Sequence, residues 1–409
     1  MKETIFIQIA SYRDPELVKT LDDLIDKASK PNNLTICVAH QHHPDDTWDN
    51  VDKYKEDKRF KILDIPSEES KGACWARNQI QQHYNGEKYT LQLDSHHRFE
   101  QDWDKTLIQM LKSLQKKGHK KPLITTYIPS YDPSNDPEGR VKTPWGMRFD
   151  RFTPEGVVFF LPYYMEKKDK PIPARFYSAH FAFTIGDFAK EVQHDPSFYF
   201  HGEEITIAVR AYTHGYDLFH PNKVIAYHEY TREGRTKHWD DDKTWGEKNT
   251  HTHNLTRKLL GVDGEVCSPC NEKHFGIYGL GSERTLEDYE LYSGIRFKDR
   301  ALTKACRDNF NPPGLAFQEY LTEFKHPITL YRNQFPEASY DFVAVIFEDK
   351  DNKELYRQDI PKKLMDTYLN DPGDTFTFWR SYNGPKPNHI IIWPFVTGKT
   401  WADKITLPL

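Results

Sequence analysis

A chain of 409 residues is long enough for two or three domains, and a formal net charge of −5 excludes the basic footprint of a nucleic-acid binder. Met1 to Ala10 shows neither a leader nor an apolar run of spanning length, and five cysteines, an odd number, give no disulfide framework. A cytoplasmic protein without a transmembrane segment is expected. Aromatic residues are 14 % of the chain; such rings either fill a core or pack on the faces of sugars.

The first third alternates strand and helix. Ile5 to Ile9 reads as a buried strand. In the loop that follows, Ser11 to Pro15, Asp14 is an N-cap candidate and Pro15 opens a helix. That helix runs to about Ala28, with Leu17, Leu21, Leu24 and Ile25 at helical spacing. Leu34 to Ala39 and Phe60 to Ile65 are two further strands. A helix from about Gly72 to Tyr84 leads into a fourth, with Tyr89, Leu91 and Leu93 alternating. This order implies a parallel sheet with helices on its faces, and in such sheets ligands bind beyond the C-terminal strand ends. Three ends are polar: Ser11, Tyr12, Arg13 and Asp14; His40 to His43, with Gln41; and Asp94, Ser95 and His96. A nucleotide-sugar site would require such a convergence.

Asp94 and His96 are two apart at a strand end, so their side chains can share one side of the chain. A carboxylate and an imidazole so placed can hold a divalent cation. Mn²⁺ suits the mixed oxygen and nitrogen set, and Mg²⁺ less so. The same triplet also reads as a helix cap followed by a loop histidine. Arg77, one helix earlier, could contact a phosphate or orient the carboxylate; it could equally be a solvated helix residue. Cys74 reads as a small buried residue.

Lys121 to Tyr127 is another strand. Residues 129–172 are rich in proline, glycine and charge around the apolar Val157 to Leu161, which suggests an inserted ribbon or loop over the site and a place for acceptor contacts. Ala174 to Ile185 returns to strand character, and His180 within it is either a satisfied core histidine or a site residue. Gly202 lets the chain turn into a helix whose first turn carries Glu203 and Glu204. Successive helix residues point in different directions, so only one of the two acids is expected to face a ligand. Val224, Ala226 and His228 share one strand face, whereas His220 and His238 look like loop residues. Thr231 to His253 lacks apolar periodicity and reads as a mobile lid, in which Arg232 and Arg235 could close on a diphosphate. Cys267-Ser-Pro-Cys270, near His274, is incomplete as a zinc site and fits a tight turn better. Thr285 to Cys306 suggests one or two amphipathic helices, and Phe317 to Phe324 a short helix. Strand-like runs at 341–347, 353–359, 375–380, 389–395 and 405–409 then form a β-sandwich-like domain. The expected divisions are a core over 1–255, a helical extension over 256–329 and a β domain over 330–409.

Ile9 to Asp14, Gly72 to Arg77, Leu91 to Phe99 with Trp103-Asp104, Phe200 to Glu204 and Tyr278 to Arg284 resemble the cytoplasmic polypeptide N-acetylglucosaminyltransferases, whose best-known member modifies hydroxyproline. The mucin-type polypeptide N-acetylgalactosaminyltransferases are similar at a greater distance. The resemblance covers roughly residues 1–300. It implies an α/β fold of GT-A type, a UDP-sugar donor, a divalent metal and retention of anomeric configuration. By the same resemblance His228 takes the place of the late third metal ligand, with Asp94 and His96, and Ser178 to Phe181 runs under the transferred sugar. Glu203 then accepts hydrogen bonds from sugar hydroxyls, while Glu204 lies near the anomeric carbon or the acceptor. Ser11, Tyr12, Arg13, Gln41, Arg77, Asp94, Ser95 and Arg232 are the expected donor contacts, and His180 joins the two acids as a catalytic candidate. The function so implied is transfer of GlcNAc to a hydroxyl of a protein or glycan. The alternatives are a metal-dependent phosphoester hydrolase using Asp94, His96 and His228, and a catalytically silent glycan-binding module.

Overall fold

A computed structural model describes residues 2–231, 234–265, 275–313, 319–337 and 339–409. Arg232 and the Cys267, Cys270 and His274 group lie outside the described residues. The chain divides into two compact units, Met1–Lys298 with Ala305–Gln318, and Asp299–Lys304 with Glu319–Leu409.

The first unit is a mixed α/β fold. β1 (Ile5–Tyr12), α1 (Leu17–Asp26), β2 (Leu34–His42), α2 (Asp52–Lys55), β3 (Phe60–Pro66), α3 (Ala73–Gln81) and β4 (Tyr89–Leu93) alternate; all but the short α2 are elements that the periodicity predicts. β1 pairs in parallel with both β2 and β4, and β2 with β3. After the short β5 (His97–Phe99), α4 (Trp103–Gln115) returns to β6 (Lys121–Thr125). The inserted segment is an antiparallel ribbon of β7 (Trp145–Phe152) and β8 (Val158–Tyr164). β9 (Ile172–Pro173) and β10 (Phe181–Ile185) follow, and β10 enters antiparallel between β4 and β6. Next come α5 (Phe188–Glu191), α6 (Glu203–Thr213), β11 (Tyr216–His220), which is parallel to β6, and β12 (Ala226–His228). The main sheet has the order β3-β2-β1-β4-β10-β6-β11-β9.

Helices cover both faces of this sheet, which is why its central strands are apolar almost throughout. On one face Ile5, Ile7, Ile9, Val38 and Leu91 meet Leu17, Leu21 and Leu24 of α1 and Trp103 and Leu107 of α4. On the other, Phe6, Cys37 and Ala39 meet Ala76 and Ile80 of α3. Burying each large side chain contributes about 1.5–3 kcal/mol, so the two layers together hold the strand ends in place.

Thr231 to His253 is not a lid without regular structure. Much of it is α7 (His238–Asp241) and the start of α8 (Trp245–Leu260). The buried side of α8 is Thr252, His253, Leu255, Thr256, Leu259 and Leu260, and its polar first half hides the helical period from a hydropathy reading. The stretch read as one or two helices over 285–306 forms one helix, Leu286–Ser293, then strand pieces at Ile295–Arg296 and Ala301–Thr303 before a short helical turn, Lys304–Arg307.

The second unit is antiparallel. Glu354–Pro361, Tyr340–Glu348, His389–Val396 and Ile405–Pro408 make one sheet in that order, and Glu323–Tyr331 pairs with Thr375–Asn383 in another. They share a core of Ile328, Leu330, Val343, Phe347, Phe378 and Ile392, with Met365 from a helix at Lys362–Asn370. The short helix expected near Phe317 to Phe324 is replaced, among the described residues, by strands at Tyr320–Leu321 and Glu323–Tyr331. Ile328 and Leu330 alternate there with exposed Thr329 and Tyr331, a period of two. Trp379 is exposed, while Trp393 packs on Trp401 with ring centroids 4.3 Å apart. Among the described residues no helix is long and apolar enough to cross a membrane.

Candidate active site

β4 ends at Leu93, and the chain turns through Asp94, Ser95 and His96 into β5. β5 pairs antiparallel with β12 in the register His97 to His228, and this carries a residue 134 positions after Asp94 beside the turn. His228 Nε2 then lies 3.5 Å, and His96 Nε2 3.7 Å, from Asp94 Oδ2. One donor atom from each of Asp94, His96 and His228 lies within 4.8 Å of the others. A carboxylate and two imidazoles converging on one point fit a divalent cation, and three protein donors leave positions open for a ligand.

The neighbours of the triad orient it. Asp14 is buried; its Oδ2 lies 2.7 Å from His96 Nδ1 and accepts from Ser95 Oγ at 2.7 Å and from Arg235 at 2.9 Å. Arg235 Nη1 also touches His96 Nδ1; in the tautomer whose Nδ1 proton faces Asp14, the Nε2 lone pair is left free on the side of Asp94, the arrangement of a carboxylate behind a metal-binding histidine. Burial opposes charge on Asp14, but the His96 and Arg235 contacts outweigh it and hold the carboxyl well below its usual range. Arg77, buried on α3, donates to Asp94 Oδ1 at 2.8 Å and to both oxygens of Glu203 at 2.7 and 2.9 Å. Burial likewise opposes charge on Asp94, and His228, Arg77 and His96 together keep it ionised.

Glu203 and Glu204 begin α6 and end in different environments. Burial would raise Glu203, but Arg77 and His194, whose Nε2 is 2.7 Å away, hold it at about 2. Glu204 accepts from Tyr127 Oη at 2.6 Å and from the Ala179 N–H at 2.8 Å. Burial dominates there and pushes the carboxyl up to about 7. Both acids line one cavity of about 420 Å³, with Arg77, Asp94, His96, His180 and His228. The expectation that only one would face the site is therefore corrected. A rotation of about 100° between them turns Glu204 toward the β6 and β10 ends, which form another wall of the same cavity.

Of the other predicted residues, Tyr12, Gln41 and Ser95 line the cavity. Tyr12 Oη donates to Asp241 of α7, and Gln41 Nε2 donates to the Ser11 carbonyl. Ser11 itself is fully buried, and the Arg13 guanidinium is paired with Asp46 and Asp241; neither lines the cavity. His180 does, but its Nε2 accepts from the Ile128 N–H at 3.3 Å. Burial and the neighbouring His228 hold His180 well below the usual histidine range. His220 is no loop residue: at the end of β11 it lies 3.0 Å from the Thr125 carbonyl and accepts from the Met147 N–H.

Sequence reasoning missed Asp14 as the partner of His96, Tyr127 as the donor to Glu204 and His194 as the second hold on Glu203. None shares a motif with the residue it serves. Only for Asp14, the last residue of the first polar strand end, does the sequence carry a signal.

The model of a family described as Glycosyltransferase (GlcNAc) matches residues 4–61 and 49–299. The chain belongs to this family. Comparison with curated proteins gives no match. Among solved structures the chain is similar to GalNAc-T7 with UDP, GalNAc and Mn²⁺, at 14 % identity over 70 % of this chain and 56 % of that one, TM-score 0.48. It is similar to S. aureus TarS 1-349 in complex with UDP-GlcNAc at 14 % identity, over 58 % of this chain and 61 % of that one, TM-score 0.38. For the mannosyltransferase PcManGT from Pyrobaculum calidifontis in complex with GDP-Man and Mn²⁺ the values are 11 %, 68 %, 76 % and 0.38. The chain thus spans less than two thirds of the length of the first two.

Proposed function

We propose that the protein is a metal-dependent, retaining glycosyltransferase of GT-A type that moves a sugar, GlcNAc as the first choice, from a UDP-sugar to a hydroxyl of a protein or glycan acceptor. The observation that carries this reading is one cavity in which the donor triad Asp94, His96 and His228 stands beside two carboxylates held at about 2 and about 7. Adjacent acids whose environments push them apart take different roles. The family match over residues 4–299 supports the reaction class and the choice of GlcNAc.

Asp94, His96 and His228 would hold Mn²⁺ or Mg²⁺. When bound, such an ion supplies positive charge against the negative charge that develops on the departing diphosphate. Tyr12 and Gln41, at the ends of β1 and β2, form the side of the cavity suited to the nucleotide. Glu203, tied to Arg77, keeps that guanidinium on Asp94 and so positions the carboxylate of the triad. Glu204 is the group for the transferred sugar. Its ionised form can stabilise oxocarbenium character at the anomeric carbon, and Tyr127 and the Ala179 N–H fix its direction. Val158, Phe159 and Phe160 of the β7–β8 ribbon give an apolar wall for the acceptor.

Nucleotide release from a panel of UDP-, GDP- and CMP-sugars with Mn²⁺ tests the reading. UDP release from UDP-GlcNAc is expected, and Asp94→Ala should abolish it along with Mn²⁺-dependent UDP binding. Release from no sugar nucleotide, or full metal-dependent activity in Asp94→Ala, would overturn it.

A further inference from the structure

A second set of metal-type donors lies outside the cavity. His40 and His42 are two apart on β2, so their side chains leave the same face, and Asp64 stands opposite His40 in the parallel register with β3. The two imidazoles are stacked, with centroids 4.8 Å apart and planes at 16°. His42 Nε2 lies 2.8 Å from Asp64 Oδ1, and one donor atom from each of His40, His42 and Asp64 lies within 4.8 Å of the others. A tetrahedral ion bound at about 2.0–2.1 Å spaces its ligands by roughly 3.3 Å, so modest side-chain rotation closes this set on a cation.

An independent observation comes from Asp49. Its side chain is completely buried, 3.0 Å from His40 Nε2, and neither carboxylate oxygen makes a hydrogen bond. A carboxylate kept out of water and aimed at one imidazole is costly unless that imidazole carries positive charge or binds a cation.

We propose that His40, His42 and Asp64 form a second cation site, with Asp49 as the carboxylate partner of His40, and that it takes a borderline transition ion such as Zn²⁺ or Co²⁺. Two imidazoles and one carboxylate suit such ions better than Mg²⁺ or Ca²⁺. His42 and Asp64 are the accessible members, so the ion can enter from solvent. The alternation of β2 gives the site a consequence. Gln41, between the two histidines, points the other way, lines the cavity and donates to the Ser11 carbonyl. An ion joining β2 to β3 and, through Asp49, to the following loop would hold the strand end that presents Gln41. Only this consequence rests on the proposed nucleotide site; cation binding does not.

The test is Zn²⁺ retained after dialysis, together with the visible absorption of Co²⁺, on the tag-free full chain. His42→Ala and Asp64→Asn, whose side chains are partly exposed, should each lose one equivalent of bound ion with melting of the ion-free chain unchanged. Asp49→Asn should weaken binding by roughly 10- to 100-fold, as loss of a carboxylate behind a metal-bound histidine does. The Asp94→Ala/His96→Ala chain should keep this equivalent and melt higher on adding Zn²⁺. Unchanged stoichiometry in His42→Ala, or no Zn²⁺ and Co²⁺ binding in Asp94→Ala/His96→Ala, would overturn the proposal. Loss of an equivalent in His42→Ala but none in Asp94→Ala would leave it standing while refuting the main metal site.

Discussion

Glu203 and Glu204 are neighbours in sequence, yet one is an ionised anchor and the other a carboxyl near neutrality. The difference comes from what each meets. Glu203 meets a guanidinium and an imidazole, whereas Glu204 meets a phenol and a peptide N–H within an apolar setting. Glu204→Gln is therefore expected to lower kcat by roughly 10²–10⁴-fold and to abolish any pH limb near 7 in the rate profile. Glu203→Gln should act mainly on stability, by about 3–5 kcal/mol, because it leaves part of a buried charge network unpaired. Denaturant titration beside steady-state kinetics separates the two, and a near-wild-type kcat in Glu204→Gln would reverse the assignment. The pH dependence has a definite sign. The folded value of Glu204, about 7, lies above its reference value of 4.5. Its contribution to stability is thus full below pH 4.5 and lost as pH rises through 7. At pH 8 the Glu204→Gln chain should gain on the order of 3 kcal/mol on the unmodified one, and the gain should vanish toward pH 4.5.

At the scale of elements, the entry into α6 decides where both acids go. Gly202 has φ of +115°, and a Cβ there would stand 2.4 Å from Thr256 Oγ1 of α8. Both the backbone and the contact exclude a larger residue. Gly202→Ala is expected to cost roughly 2–4 kcal/mol, from about 1–2 for the left-handed conformation and a similar amount for displacing Thr256. A fall in melting temperature with loss of nucleotide binding would show it; an unchanged melt would mean that this turn is not what sets α6. The same close approach gives α8 a part in the site although it contributes no cavity residue. Its small Thr252 and Thr256 face accommodates the Gly202 turn, and the Thr252 hydroxyl accepts from the Tyr199 N–H.

At the scale of the molecule, the donor triad, both acids and the cavity all belong to the unit of Met1–Lys298 with Ala305–Gln318. A chain ending at residue 318 should melt cooperatively and bind UDP with Mn²⁺ as the full chain does, measured by calorimetry. Ending it near Gln334, just past the expected start of the β domain at residue 330, would keep the strand Glu323–Tyr331 but remove its partner Thr375–Asn383 and expose Ile328 and Leu330. That longer truncation should aggregate. Failure of the 318 chain to bind UDP while folded would mean that the second unit contributes to donor binding.

The sequence by itself determined the alternation of β1 to β4 with their helices, because period-two and period-3.6 patterns are local and strong there. It also marked the polar strand ends, Asp94 with His96, and the glycine before Glu203. It could not show α8, whose small polar residues carry little hydropathy signal, nor the strand at Glu323–Tyr331, nor the helix at Lys362–Asn370. Charge states were beyond it altogether. That Asp14 backs His96, that Arg77 joins Asp94 to Glu203, and that Glu204 ends beside Tyr127 all depend on contacts between residues 17 to 126 positions apart. Only the tertiary structure brings these groups out of water and into contact, and burial together with the identity of the neighbour decides which carboxylate stays ionised.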